Sequence, residues 1–158
     1  MMKSCLFKTS SSTAPLIARL VLGLVMFPHG AQKVLGWFGG FGIAGTYGFL
    51  TQQMHIPAAL AVLVFAAEFL GSIGLLVGFL GRVAAFGIAV NLAVAVFLVH
   101  LPNGFFMNWS GQQKGEGIEF FILAIGIAIA IMIGGSGAYS IDLALTRKGQ
   151  PQRNTSSA

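Results

Sequence analysis

Four apolar segments constrain the fold of this 158-residue chain more than any other feature. They cover residues 15–35, 57–80, 82–101 and 117–133, and each is close to the ~20 residues that a helix needs to cross the hydrocarbon core of a bilayer. Only 8% of the residues are charged, against about 25% in soluble domains, so a soluble fold could not cover its surface with polar groups. The sequence therefore predicts an all-α polytopic membrane protein, with four transmembrane helices in an antiparallel up-and-down bundle.

The apolar segments divide the chain into three parts. We expect residues 1–14 to form a cytoplasmic N-terminal segment, residues 15–145 the four-helix transmembrane domain, and residues 146–158 a disordered cytoplasmic tail rich in Gln, Asn, Thr and Ser. Lys3 and Lys8 precede the first apolar segment, as basic residues do in a signal peptide. No clear small-residue cleavage site follows, so we interpret this segment as a retained helix.

Basic residues predict the orientation of the chain. With four crossings both termini face the same side, and seven of the nine basic residues lie there: Lys3, Lys8, Arg19, Arg82, Arg147, Lys148 and Arg153. Only Lys33 and Lys114 lie near the other side. The positive-inside rule therefore predicts that both termini and the turn at residues 81–82 are cytoplasmic. Because this distribution explains the net charge of +5, the lipid bilayer is the predicted partner and nucleic acid is not.

Ionisable groups inside the apolar segments mark the predicted site. Glu68 follows Pro57 by eleven residues, which places it about 16 Å along a helix and near the bilayer midplane. A charge at that depth costs about 2.5 kcal/mol or more, so such a residue is a functional candidate. His29, Gln32 and Lys33 have the i, i+3, i+4 spacing of one helical face on the outer half of the first helix.

The two polar residues of the third segment, Asn91 and His100, are assigned different roles. Asn91 and His100 are nine residues apart, which puts them about 180° apart on a straight helix. We expect them to line one pocket only if the helix bends, and we assign His100 to the site and Asn91 to an interhelical hydrogen bond. Glu119, in the first turn of the fourth helix, enters from the same outer side. The predicted site thus comprises His29, Gln32, Lys33, Glu68, His100 and Glu119.

Structural roles compete with this interpretation. The carboxylate of Glu68 could serve only as a buried link to Lys33 or to a backbone carbonyl, and Lys33 could be a snorkelling anchor. Trp37 and Trp109 are most simply aromatic residues of the membrane interface.

No metal site is predicted. A b-type haem between His29 and His100 is disfavoured because their depths differ by about 7 to 10 Å. A copper site using Met26 and His29 lacks a further ligand at helical spacing. The chain has one cysteine, Cys5, so a multi-thiolate site cannot form within one chain.

Five stretches occur together in a fixed order: HGAQKVLGWFGG, EFLGSIGLLVGFLGRVAA, HLPNGFF, GEGIEFFIL and GSGAYSID, which begin at residues 29, 68, 100, 115 and 135. This ordered set resembles the DoxX family of small four-helix membrane proteins. The last stretch departs from the family pattern, which usually has proline where this chain has Ser136. The motif positions that carry over are His29, Lys33, Glu68, His100 and Glu119.

The resemblance implies a bacterial inner-membrane protein and does not by itself make the protein an enzyme. A related branch, DoxD, belongs to a thiosulfate:quinone oxidoreductase. Some DoxX proteins are reported to form membrane complexes with proteins of oxidative-stress and thiol metabolism. The resemblance therefore implies a connection with redox metabolism, with quinone as the expected ligand and redox proteins as the expected partners.

The sequence leaves three hypotheses for the function. In the first, a quinone headgroup enters from the lipid, bonds to His29 or His100 and exchanges protons through Glu68 or Glu119. Electrons would come from a partner subunit, because the sequence carries no convincing ligand set for a haem, flavin or iron–sulfur centre. The second is a scaffold for redox proteins, for which the outer-loop aromatics matter most: Trp37, Phe38, Phe105, Phe106 and Trp109. The third is a small transporter or proton path, which would require a homo-oligomer because four closely packed helices leave little lumen.

Overall fold

A computed structural model describes residues 7–148, and all the regular structure in this range is helical. The helices are α1 (Thr13–Leu35), α2 (Gly42–Gly48), α3 (Ala58–Val77), α4 (Gly81–Asn103), α5 (Glu119–Gly134) and α6 (Ile141–Lys148). Between α1 and α2 lies a single 3-10 turn, Trp37–Gly39. The prediction of an all-α chain is confirmed.

Three of the predicted membrane crossings correspond to helices of sufficient length. By length and composition α1, α3 and α4 are able to cross a membrane. The apolar helix α5 has 16 residues, about 24 Å of helix against a hydrocarbon core of about 30 Å. The count of four crossings therefore stays a prediction.

The connections and the tail contain helices that the sequence did not predict. Helix α2 lies in the first long connection, and α6 follows the last apolar segment. The predicted tail begins at residue 146, whereas α6 continues to Lys148. Residues 1–6 and 149–158 lie outside the described residues.

Neighbouring long helices run antiparallel. Gly23 of α1 lies beside Ser72 and Leu76 of α3, whereas Gly30, further along α1, lies beside the backbone of Glu68. Between α4 and α5, Arg82 donates to the carbonyl of Met132 near one end. Near the other end, the rings of His100 and Phe121 lie 4.1 Å apart. The end of the bundle near residues 13, 78, 81 and 134 is called the terminal end below, and the opposite end the loop end.

The surface of the bundle is apolar around its circumference. Large side chains such as Ile17, Leu24, Phe97 and Ile133 are 61%, 63%, 72% and 75% exposed. The packed interior is built mostly of small and branched residues: Leu22, Met26, Leu75, Ala85, Ile88, Leu92, Phe121, Ala124, Ala128 and Ile131. Water would not tolerate so much exposed apolar area, and the lipid bilayer is therefore the medium that fits this surface.

Buried hydrogen bonds fix the terminal end. Arg19 is 1% exposed, so it is a buried structural residue and should not have been counted among the basic residues that predict the orientation. It donates to five backbone carbonyls, those of Leu75, Leu76, Ser136, Ala138 and Tyr139. Polar groups buried away from water need such partners, so this one side chain holds the end of α3 against the segment that follows α5.

Asp142 has the complementary role at the start of α4. Its carboxylate accepts from the backbone N–H groups of Leu80 and Gly81, at 2.9 and 3.0 Å, and from the hydroxyl of Ser136 at 2.5 Å. These N–H groups have no partner within their own helix. A carboxylate is favoured at a helix N-terminus, and Asp142 therefore caps α4 from α6.

Glycines allow the closest helix contact at Gly30. Small residues in membrane helices predict close packing, an expectation that applies to Gly71, Gly74, Gly78 and Gly126. A Cβ on Gly126 would meet nothing within 4 Å, so the expectation is wrong there. A Cβ on Gly30, by contrast, would lie 2.7 Å from the backbone of Glu68 and Phe69. The approach of α1 to α3 therefore depends on Gly30.

This difference predicts opposite effects for two alanine substitutions. Gly30→Ala should lower the free energy of unfolding by about 1–3 kcal/mol, the range for overpacking a core. Gly126→Ala should leave it unchanged or raise it by up to about 1 kcal/mol, because alanine is the better helix former. Thermal unfolding in detergent, followed by circular dichroism, measures both. Equal effects of the two substitutions would contradict the close approach at Gly30.

Candidate functional site

A cavity of about 480 Å³ lies in the loop half of the bundle. It is within the range of about 300–1,000 Å³ that is common for small-molecule sites. Apolar side chains form most of its lining, and the polar lining residues are His29, Lys33, Glu68, Asn91, His100 and Glu116. A largely apolar cavity with a few polar groups is the usual form of a ligand site.

Glu68 is the most deeply buried polar group of the cavity, with 5% of the residue exposed. Its Oε2 atom lies 2.5 Å from Nζ of Lys33, and its Oε1 atom accepts from Nδ2 of Asn91 at 2.6 Å. The two donors come from α1 and α4, whereas Glu68 is on α3. Because a buried carboxylate needs partners for both oxygens, this group connects three helices at one point.

Lys33 keeps contact with the cavity despite its ion pair. Its side chain is 29% exposed, against 7% for that of Glu68. An ammonium group has three donors, and the bond to Glu68 uses one of them. The remaining donors are available to a molecule in the cavity.

Three π-helical turns shape the cavity wall. They cover Phe49–Gln53 after α2, Ala66–Leu70 in α3 and Val96–His100 in α4. Each is closed by a backbone N–H that bonds the carbonyl five residues earlier, for example Gly71 to Ala66. Each turn supplies lining residues, including Phe49, Glu68 and His100. Turns of this kind occur frequently at functional sites, and here they bring side chains from three segments into one cavity.

The π-turn in α4 explains why Asn91 and His100 line the same cavity. A straight helix would have placed them about 180° apart. One extra residue in the turn rotates the remainder of the helix by about 100°, so the two side chains are separated by about 80° instead. The helix is therefore not straight between these residues. Asn91 has two roles: it makes an interhelical hydrogen bond and it lies in the cavity wall.

The two histidines differ in their surroundings. His29 is exposed and lines the cavity one helical turn before Lys33. The Nδ1 atom of His100 lies 2.9 Å from the carbonyl oxygen of Glu116, and its ring packs against that of Phe121. His29 thus has the freer imidazole, whereas His100 is tied to the loop before α5.

Gln32 and Glu119 are not among the residues that line the cavity. The Nε2 atom of Gln32 donates to the carbonyl of Phe38 at 3.2 Å. One carboxylate oxygen of Glu119 accepts from the backbone N–H of Met107 and from Nε1 of Trp109, at 2.7 and 3.2 Å. Both side chains therefore hold loop-end segments in place, and neither lines the cavity that contains the other four predicted site residues.

Exposed apolar side chains border the cavity. Three of its apolar lining residues, Phe49, Val94 and Leu98, are 47%, 46% and 55% exposed. Val94 and Leu98 lie on the apolar helix α4, within its membrane-spanning length. This side of the cavity is therefore apolar.

Among residues 7–148 no group of three His, Cys, Asp or Glu side chains lies close enough to hold a metal ion. The sequence argument missed Glu116, which enters the cavity wall from the loop before α5, and it gave Asn91 only a structural role. A signal for Asn91 existed, because it is the only strongly polar residue between Arg82 and His100. No feature of the sequence indicated that Phe49 and its neighbours line the cavity.

Comparison with known proteins identifies related chains. The family model DoxX matches residues 14–101, which include Lys33, Glu68 and Asn91. The chain is 28% identical over 138 residues to the inner membrane protein YqjF of Escherichia coli (strain K12), and the alignment covers 84% of this chain and 92% of that protein. No solved structure gives a significant match.

The ion pair predicts a strong energetic coupling between Lys33 and Glu68. Lys33→Met should destabilise the protein by roughly 1–3 kcal/mol, because it leaves a buried carboxylate with one partner fewer. In the Lys33→Met/Glu68→Met double variant the loss should be smaller than the sum of the single losses, with a coupling of about 0.5–3 kcal/mol. Thermal unfolding of the four proteins in one detergent gives this value. Additive losses would mean that the two groups do not interact in the folded protein.

Proposed function

The chain belongs to the DoxX family of multi-pass inner-membrane proteins, and we propose that this member binds a quinone in the loop-half cavity and takes part in redox metabolism. The observation that carries the proposal is the combination of exposed apolar side chains beside the cavity with a buried Lys33–Glu68–Asn91 group. A ligand of this site has to be soluble in lipid and has to carry polar atoms at one end.

A quinone satisfies both requirements. Its ring carries two carbonyl oxygens that accept hydrogen bonds, and its apolar tail remains in the bilayer. Lys33 and Asn91 each have a further N–H donor, and His29 adds an imidazole at the same cavity. The tail would leave the cavity past Leu98 and Phe49, whose exposed apolar side chains border it.

The polar residues suit the proton chemistry of a quinone. Reduction to the quinol takes up two electrons and two protons, and the charge that develops on the ring oxygens is stabilised by fixed donors such as the Lys33 ammonium group. A carboxyl group and an imidazole are the side chains that most often move protons in such steps, and Glu68 and His29 are the two that line this cavity without a bond to a loop. A partner redox protein at the membrane supplies these two electrons and is itself oxidised.

A second function is favoured by the loop end. Five aromatic side chains there, Trp37, Phe38, Phe105, Phe106 and Trp109, are 54%, 65%, 52%, 66% and 87% exposed. Aromatic residues are enriched both at protein interfaces and at membrane surfaces. A scaffold that holds redox proteins at the inner membrane would use this surface, and it would not require a ligand in the cavity.

Native mass spectrometry of the gently solubilised protein tests quinone binding. The wild-type protein should retain a ligand with the mass of a membrane quinone. Glu68→Gln should lose most of it, because the ion pair that orders the polar end of the cavity is removed. Leu98→Trp should also lose it, since a larger side chain at the border of the cavity obstructs entry while replacing an already exposed residue.

The matched control is Glu119→Gln. It changes a carboxylate to an amide on α5 in the same half of the bundle, but outside the residues that line the cavity, so ligand retention should not change. Absence of a quinone from all four proteins, with protein partners retained by each, would reject the proposal in favour of the scaffold.

The orientation remains a prediction of the positive-inside rule, and Cys5 allows it to be tested. It is the only cysteine of the chain, so a membrane-impermeant maleimide reports the side of the N-terminus alone. Labelling is expected in inverted membrane vesicles and not in intact spheroplasts, with Cys5→Ser unlabelled in both. The reverse pattern would place the N-terminus on the outer side.

A further inference from the structure

We propose that a second cavity, at the terminal end, binds the phosphate headgroup of an anionic phospholipid. This cavity has a volume of about 460 Å³ and lies between the start of α1, the segment before α6 and α6 itself. Its lining residues include Ser11, Thr13, Tyr139, Ser140, Ala144 and Arg147. It is at the opposite end from Glu68, so the inference does not rest on quinone binding.

The charge around this cavity is positive. The chain has four acidic residues. Three of them, Glu68, Glu116 and Glu119, lie in the loop half of the bundle, and Asp142 is 1% exposed with both carboxylate oxygens bonded to donors. The charge of Asp142 acts on the buried Arg19, so no further aspartate or glutamate is left at the terminal end to offset Lys8, Arg82 and Arg147. A positive surface at the ends of membrane helices attracts anionic lipids.

Three described basic residues supply this charge at the terminal end. Arg147 lines the cavity, and both it and Lys8 are exposed. Arg82 donates to the backbone carbonyls of Lys8 and Met132, and these bonds leave its charge uncompensated. Clusters of Lys and Arg in this position are typical of sites that recognise lipid headgroups.

The backbone acceptors beside the cavity are already occupied by donors of the protein. The carbonyls of Ala138 and Tyr139 accept from the buried guanidinium of Arg19, at 3.2 and 2.9 Å. The hydroxyl of Ser140 donates to the carbonyl of Gly137. Carbonyl oxygens that faced the cavity would repel a phosphate, and here they are engaged by Arg19 and Ser140 instead.

Donors on the cavity wall match a phosphate. The guanidinium of Arg147 has the planar fork that binds two phosphate oxygens at once. Ser11 and Thr13 contribute hydroxyl groups at the start of α1. The first turn of α1 contains no acidic residue, so the positive end of the helix dipole is not compensated there.

Apolar residues beside the cavity favour a lipid over a free phosphate. Tyr139, Ile141 and Leu145 are 88%, 43% and 44% exposed next to it. Tyr139 has a positive φ of 50°, a conformation that is strained for a residue with a side chain, and it follows Ala138, whose backbone N–H donates to the carbonyl of Ser12 at the start of α1. Tyrosine is enriched at this depth of a membrane. The acyl chains of a lipid whose phosphate meets Arg147 would contact these side chains.

Native mass spectrometry of the full-length protein with phosphatidylglycerol and phosphatidylcholine of the same acyl chains tests the proposal. Wild-type protein should retain phosphatidylglycerol in preference to phosphatidylcholine. Arg147→Gln should weaken phosphatidylglycerol binding about fivefold, the effect of one basic residue near a membrane surface. Ala144→Phe should weaken it as well, because it fills the cavity from an exposed position on α6.

The control is Lys114→Gln, which removes one exposed positive charge at the loop end and should not change lipid binding. Glycerol 3-phosphate, added at the same phosphate concentration, separates a lipid site from a site for a soluble phosphate. Equal retention of the two lipids by the wild type, equal effects of Arg147→Gln and Lys114→Gln, or full displacement of the lipid by glycerol 3-phosphate would each overturn the proposal. Quinone retention by the same variants is measured separately, and its outcome does not decide the lipid proposal.

Discussion

The burial of one carboxylate organises the loop half of this protein. Glu68 is only 5% exposed, so its carboxylate oxygens need donors within the bundle. Lys33 and Asn91 provide them from the two helices on either side. The bonds are short only if α1, α3 and α4 hold one particular register, and the absence of a side chain at Gly30 lets α1 come close enough. The cavity forms around this fixed point.

Buried charged groups at the terminal end also need hydrogen-bond partners, but these partners are of a different kind. Arg19 is as deeply buried as Glu68, but its donors meet five backbone carbonyls and no carboxylate directly. Asp142 meets backbone N–H groups and a hydroxyl. Backbone partners belong to the fold itself, so this cluster holds segments together. The Glu68 cluster joins side chains at a cavity, and side chains can change partners when a ligand arrives.

The sequence predicted the features that depend on residue type and regular spacing. Apolar length predicted the helical class and the long helices, and the i, i+4 spacing placed His29 and Lys33 on the cavity side. It could not predict the π-turns, because one shifted backbone hydrogen bond leaves no mark in residue type and depends on packing by neighbouring helices. These turns determine the angle between the His100 and Asn91 side chains around the helix axis, and they place Phe49 in the cavity wall. The positions of Gln32 and Glu119 depend on loops, whose course apolar periodicity does not determine.

The position of the ion pair favours a role beyond structural support. Enclosure of an ion pair carries a desolvation penalty, and replacement of enclosed pairs by apolar residues of similar volume often costs no stability, so stability alone gives little reason to keep a buried pair. Here the pair borders an open cavity, and the Lys33 side chain is 29% exposed. A ligand oxygen could accept from the Lys33 ammonium group while Asn91 keeps its bond to Glu68. The buried carboxylate would therefore keep Asn91 as a partner if a ligand engaged Lys33.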